Sequence, residues 1–88
     1  MVTQTDPTIA LLEDLVAIDS VNPSLVAGAP GEAEIARRIA AECIAAGLEV
    51  TISEIAPGRP NVVAVLDGPN PGPTLMFCGH LDTVGVAG

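Results

Sequence analysis

The chain has 88 residues, enough for one small domain, and a domain of that size buries only a thin core. Hydrophobic residues make up 49% of it, which excludes a disordered chain, and with Phe77 as the one aromatic residue the core must rest on Ala, Val, Ile and Leu. Three arginines and no lysine against eleven acids give a net charge of −8, which excludes the clustered positive charge that nucleic-acid and anionic-membrane surfaces need.

Residues 1–6 contain no basic segment, and no apolar stretch of about 18 residues follows. Neither a signal peptide nor a transmembrane helix is predicted, and a cytoplasmic protein is expected. Asp6-Pro7 reads as a helix start, with Asp6 as N-cap and Pro7 at the first helical position. Leu11, Leu12, Leu15 and Val16 recur at helical spacing with Glu13 and Asp14 on the other side, which predicts a first helix over 7–18. Asn22-Pro23, Gly28 and Pro30-Gly31 make 19–31 a loop.

A second helix is expected over 32–46. Glu32 and Glu34 suit its positive N-terminal end, and Gly47 suits the position just past its C-terminus. Ile35, Ala36, Ile39, Ala40 and Cys43 form the predicted buried stripe, while Arg37, Arg38 and Glu42 face water and Glu34 is spaced to pair with Arg38. The period then changes to two. Leu48, Val50 and Ile52 alternate with Glu49, Thr51 and Ser53 as a half-exposed strand, broken by Pro57-Gly58 and Pro60. Residues 62–66, Val-Val-Ala-Val-Leu, read as a strand buried on both faces. After a stiff Gly- and Pro-rich turn over 67–73, Leu75-Met76-Phe77-Cys78 read as a second such strand. Cys43 and Cys78 are both expected to be buried thiols, with no disulfide framework.

The resulting order, ααβββ, is an α/β fold. Two strands apolar on both faces need cover on both, and two sequential helices supply it on one. The pattern predicts the first part of a larger sheet domain.

The chemistry concentrates at Gly79-His80-Leu81-Asp82-Thr83-Val84, directly after the last apolar run. His80 is the single histidine, and neutral imidazole is a good ligand for Zn²⁺. A ligating histidine usually donates its other N–H to a carboxylate or carbonyl, and Asp82, on the same face if the strand continues, suits that role. Gly79 would admit a close approach by another backbone or a substrate, and Thr83 and Val84 are expected to anchor the loop. The plain alternative is a structural loop histidine beside a turn-forming aspartate. Cys78 shares the parity of His80 and Asp82, but alternate residues on a strand stand about 6.5–7 Å apart with parallel side chains. A converging Cys-His-Asp nucleophilic or metal set is therefore disfavoured. No G-x-G-x-x-G, Walker loop or G-x-S-x-G is present.

The chain resembles the zinc-dependent peptidase and deacylase family of acetylornithine deacetylase, succinyl-diaminopimelate desuccinylase, aminoacylase and carboxypeptidase G. The matching segments run in order along it: the opening helix 11–18, Ser20-Val21-Asn22-Pro23, the helix from Glu32 ending in Gly47-Leu48-Glu49-Val50, Pro60-Asn61-Val62-Val63-Ala64, and Gly79-His80-Leu81-Asp82-Thr83-Val84. The last of these is the specific motif; the others support it. The resemblance implies that residues 1–88 are the N-terminal portion of a mixed-sheet catalytic metal-binding domain. It implies His80 as a metal ligand, Asp82 as the catalytic residue that supports it, and one or two Zn²⁺ ions, with Co²⁺ as a substitute. It also implies hydrolysis of amide bonds in N-acyl amino acids or short peptides, in which metal-activated water attacks the carbonyl and a glutamate base takes the proton.

The bridging aspartate, the paired glutamates, the later ligands and the lid and dimerisation domain of such enzymes have no counterpart in this sequence, which ends four residues after Val84. On this reading the chain is a fragment, and any homodimer forms through the lid domain. One histidine cannot close a zinc site, which needs three or four ligands. The 88-residue chain by itself is therefore expected to bind zinc weakly. It is also expected to hydrolyse nothing; tight stoichiometric zinc in a chelator-competition titration would contradict this. The rival expectation is a complete small acidic binding module that reuses the same αβ layer, with His80 and Asp82 structural. Uncovered apolar strands and the bare end Val86-Ala87-Gly88 speak for the fragment.

Overall fold

A computed structural model describes residues 6–85. The leaderless start read over 1–5 and the terminal Val86, Ala87 and Gly88 lie outside the described residues. The element order is α1 (Pro7–Ala17), α2 (Ala33–Ala45), β1 (Glu49–Ala56) and β2 (Arg59–Val65). This is a small α/β unit with two helices and one two-stranded antiparallel sheet.

Local chemistry sets the start of α1 and the end of α2. The Asp6 carboxylate accepts from Thr8 N at 2.8 Å, with Pro7 at the first helical position, where its missing N–H costs nothing. At the end of α2, Gly47 takes φ +90°, Gly47 N donates to Ile44 O and Leu48 N to Cys43 O, each at 3.0 Å. That pair of bonds satisfies carbonyls the helix leaves open, and the positive φ is why glycine stands there. One expected ion pair is exchanged. Arg38 does not turn back to Glu34 but bonds Glu42 at 2.9 Å and reaches Asp14 of α1 at 3.3 Å. The i,i+4 spacing is available in both directions, and only the fold adds Asp14.

The first strand runs three residues beyond Ser53, and Pro57-Gly58 is a hairpin turn rather than a break. Gly58 holds φ +72° and its N–H donates to Glu54 Oε1 at 2.7 Å. Proline followed by a positive-φ glycine is the signature of a type II turn. Pro60 lies inside β2 opposite Glu54, next to a bulge between Glu54 and Ala56 where the ladder is already interrupted. In this register Val50 and Ile52 share a face with Val62 and Ala64, and α2 packs across the hairpin. The core is small: Ile35, Ala36 and Ala40 are its buried apolar residues, while Ile39 and Cys43 are half-buried.

The strand expectations fail beyond this point. Residues 62–66 are not buried on both faces, because none of the described residues covers the side carrying Val63, which is 55% exposed, and Val65, which is 45% exposed, and Leu66 just past the strand is 72% exposed. Residues 75–78 form no strand, and the turn over 67–73 closes no hairpin. Leu75, Met76 and Phe77 are exposed, and Cys78 is an exposed thiol rather than a buried one. A strand exists only where a neighbour completes its ladder. Here a cleft of about 790 Å³ lies between Asn61, Val62 and Ala64 of β2 and the run carrying Met76, Cys78 and His80. The order is therefore ααββ, with the third strand's residues present and its pairing missing. The chain exposes 7007 Å², against about 4,800 Å² for a compact monomer of its mass. Its radius of gyration is 15.6 Å, against about 12 Å for a compact domain of this length. Among the described residues no helix is long and apolar enough to cross a membrane.

Candidate metal-ligand site

The 80–83 segment is tied to the loop after α1. Val21 and Thr83 form an isolated parallel bridge, with Thr83 N donating to Ser20 O and Asn22 N to Thr83 O, both at 3.0 Å. Thr83 thus anchors the loop as expected, while Val84 is 67% exposed. The same loop turns on Asn22, whose Oδ1 accepts from Ser24 N at 2.8 Å. Gly31 N closes the loop on Val21 O at 3.0 Å.

That bridge brings three polar side chains together. Asn22 Nδ2 donates to Asp82 Oδ2 at 2.9 Å. The other carboxylate oxygen, Oδ1, lies 3.1 Å from His80 Nδ1, and the Asp82 carbonyl oxygen lies 2.9 Å from the same nitrogen. Both partners of Nδ1 are acceptors, so Nδ1 carries the hydrogen and the lone pair of neutral His80 is on Nε2. The Asn22 amide orientation is equally determined, since a flip would turn its oxygen toward the Asp82 carboxylate and its NH₂ toward Ser24 N. The His80 ring is 85% exposed and Asp82 only 28%, so the pair is anchored at the carboxylate and open at the imidazole.

Charge around the pair favours the carboxylate. The amide of Asn22, more than any other group, holds the Asp82 carboxyl below the ordinary aspartate range; partial burial opposes this and His80 adds to it. Stability from this source is complete above the ordinary range and is lost as pH falls through the depressed value. Arg59 contributes from a distance. Its guanidinium is gripped by the buried Glu32 through Nε to Oε1 and through Nη2 to Oε2, the latter at 3.1 Å, and its charge still reaches Asp82.

Comparison with known protein families, characterised proteins and solved structures found no match.

His80 and Asp82 therefore meet, but as neighbours in irregular chain rather than along a strand. Cys78 lines the same cleft as both, yet among the described residues no group of three or more His, Cys, Asp or Glu side chains could hold a metal ion. The Cys-His-Asp cluster is not assembled. The close approach expected at Gly79 is not made either, since a Cβ there would meet open space. Two contributors escaped the sequence reading. Asn22 was legible only as a turn former, because its partner lies 60 residues away. The Glu32–Arg59 pair, 27 residues apart, showed no signal at all. The arrangement does fit a first metal ligand: an exposed imidazole with a free Nε2, its other nitrogen held by a carboxylate that is itself held.

Proposed function

We propose that this chain belongs to the catalytic domain of a metal-dependent hydrolase that cleaves amide bonds of N-acyl amino acids or short peptides, as deacetylases, desuccinylases and carboxypeptidases do. The observation that carries the reading is the His80 ring, with Nδ1 bound to Asp82 and Nε2 left for a metal. His80 is the ligand and Asp82 the catalytic residue that holds its tautomer and orientation. When bound, one or two Zn²⁺ ions, or Co²⁺ in their place, would polarise the scissile carbonyl and acidify water, bringing its pKa to about 7 in favourable zinc sites. The cleft of about 790 Å³ beside His80 is roomy enough for a substrate of this class.

The bare face of β2 and the exposed apolar 75–78 run support a place in a larger sheet, because apolar surface of this extent needs cover. The same observation weighs against a self-contained acidic module, which would close its own core. A cytoplasmic setting and a dimer formed through a lid domain belong to the same reading. The test is hydrolysis of a panel of N-acyl amino acids by the protein purified from its own cells, before and after chelation. Activity is expected to vanish with the chelator and return with Zn²⁺ or Co²⁺. Hydrolysis indifferent to the chelator, or absent across the panel from metal-loaded protein, would overturn the proposal.

A further inference from the structure

We infer that Asn22 is a positioning residue for the His80–Asp82 pair: its side-chain amide, bonded to Asp82 Oδ2, aims Oδ1 at His80 and so adds to the Asp82 carbonyl oxygen, 2.9 Å from Nδ1, in favouring the imidazole tautomer that leaves Nε2 free. The inference deepens the reading of His80 as a ligand and rests on it for its purpose, but not for its geometry.

Three observations carry it. A carboxylate attached to an irregular segment can rotate about its own side-chain bonds, and an unheld Asp82 would present either oxygen, or neither, to His80. Asn22 removes that freedom, since Nδ2 takes Oδ2 at 2.9 Å and leaves Oδ1 3.1 Å from Nδ1. Asn22 is itself immobilised from three sides. Its Oδ1 is spent on Ser24 N, its N–H on Thr83 O, and its carbonyl accepts from Leu25 N and Val26 N, both at 3.0 Å. Finally, the Val21–Thr83 bridge sets the two segments in fixed register, so the amide and the carboxylate arrive together each time the loop closes. Asparagine combines the acceptor the turn needs with the donor the carboxylate needs on two separate atoms of one short side chain. Aspartate would oppose charge to charge, and serine is too short to reach Asp82.

The test uses the full chain labelled with nitrogen-15 histidine, in which His80 is the single histidine. Ring nitrogen shifts, read above the pH at which they stop changing, report the ratio of the Nδ1–H to the Nε2–H form. In the unsubstituted chain the Nδ1–H form should dominate. In Asn22→Ser, which keeps an oxygen to cap the turn, the ratio should fall roughly five- to tenfold, the weight of one hydrogen bond. Pro23→Ala disturbs the same loop without touching the amide and should leave the ratio near its original value. A dominant Nε2–H form in the unsubstituted chain would overturn the inference. So would an unchanged ratio in Asn22→Ser, or an equal fall in Pro23→Ala. The ligand reading fails on different evidence, a metal content indifferent to loss of His80, and that result would leave the tautomer measurement standing.

Discussion

Replacing His80 by alanine is expected to cost the protein purified from its own cells more metal affinity than any other single change in this chain. The side chain is the one imidazole available, its Nε2 is exposed, and Nδ1 is already committed to Asp82. Loss of an outer partner of a metal site typically costs 10- to 100-fold in affinity or activity, roughly, and loss of the ligand itself exceeds that. Asp82→Asn therefore serves as the graded comparison. It can still meet Nδ1–H with its amide oxygen, yet it removes the charge, and it should fall within the outer-partner range. Metal content after dialysis against a competing chelator reads both variants. If His80→Ala retains its metal as well as the unsubstituted protein, His80 is a structural histidine and the proposed activity loses its anchor. If Asp82→Asn costs as much as His80→Ala, the aspartate is itself a ligand.

Gly31→Val should be the most destabilising substitution outside the site, by about 3 kcal/mol. Part of that is the backbone, because Gly31 holds φ +74°, where a β-branched residue pays about 1–3 kcal/mol. The rest is space. A Cβ there would lie 3.3 Å from Gly58 O and 3.4 Å from Arg59 Cδ, and forcing methyl groups into a closed contact costs about 1–3 kcal/mol more. This contact is where the entry to α2 meets the hairpin turn, directly before Glu32 grips Arg59, so relaxation on one side strains the other. Gly28→Val is the matched control, since Gly28 holds φ +82° with nothing within 4 Å of its Cβ. For a domain of this size each kcal/mol moves the midpoint by about 4–8 °C. Thermal unfolding should therefore place Gly31→Val well below Gly28→Val. Equal midpoints would show that the contact with Gly58 contributes nothing.

The helices and the strand that follows them were legible in the sequence because their determinants are local, whereas the hairpin was not, since Pro57-Gly58 reads as a break until β2 is seen to pair with β1. Asp6 and Pro7 start α1, the 3.6-residue spacing of Ile35, Ala36 and Ala40 sets the inward face of α2, and Gly47 stops it. Each acts within one turn of itself, so neighbours in sequence suffice to read it. The His80-x-Asp82 pair was legible for the same reason, being two residues apart. What the sequence could not decide depends on partners far along the chain. Whether residues 75–78 become a strand turns on a ladder neighbour, and across the cleft none of the described residues supplies one. Apolar composition signals that a run seeks cover, but cover is a property of what packs against it. That is why Val63, Leu66 and Cys78 are exposed despite reading as core. The bonds that orient the site, Asn22 to Asp82 across 60 residues and Arg59 to Glu32 across 27, exist only once the Val21–Thr83 bridge and the α2–hairpin contact are made. A side-chain hydrogen bond has no periodicity to announce it; it needs two groups within about 3 Å, and only the tertiary structure brings them there.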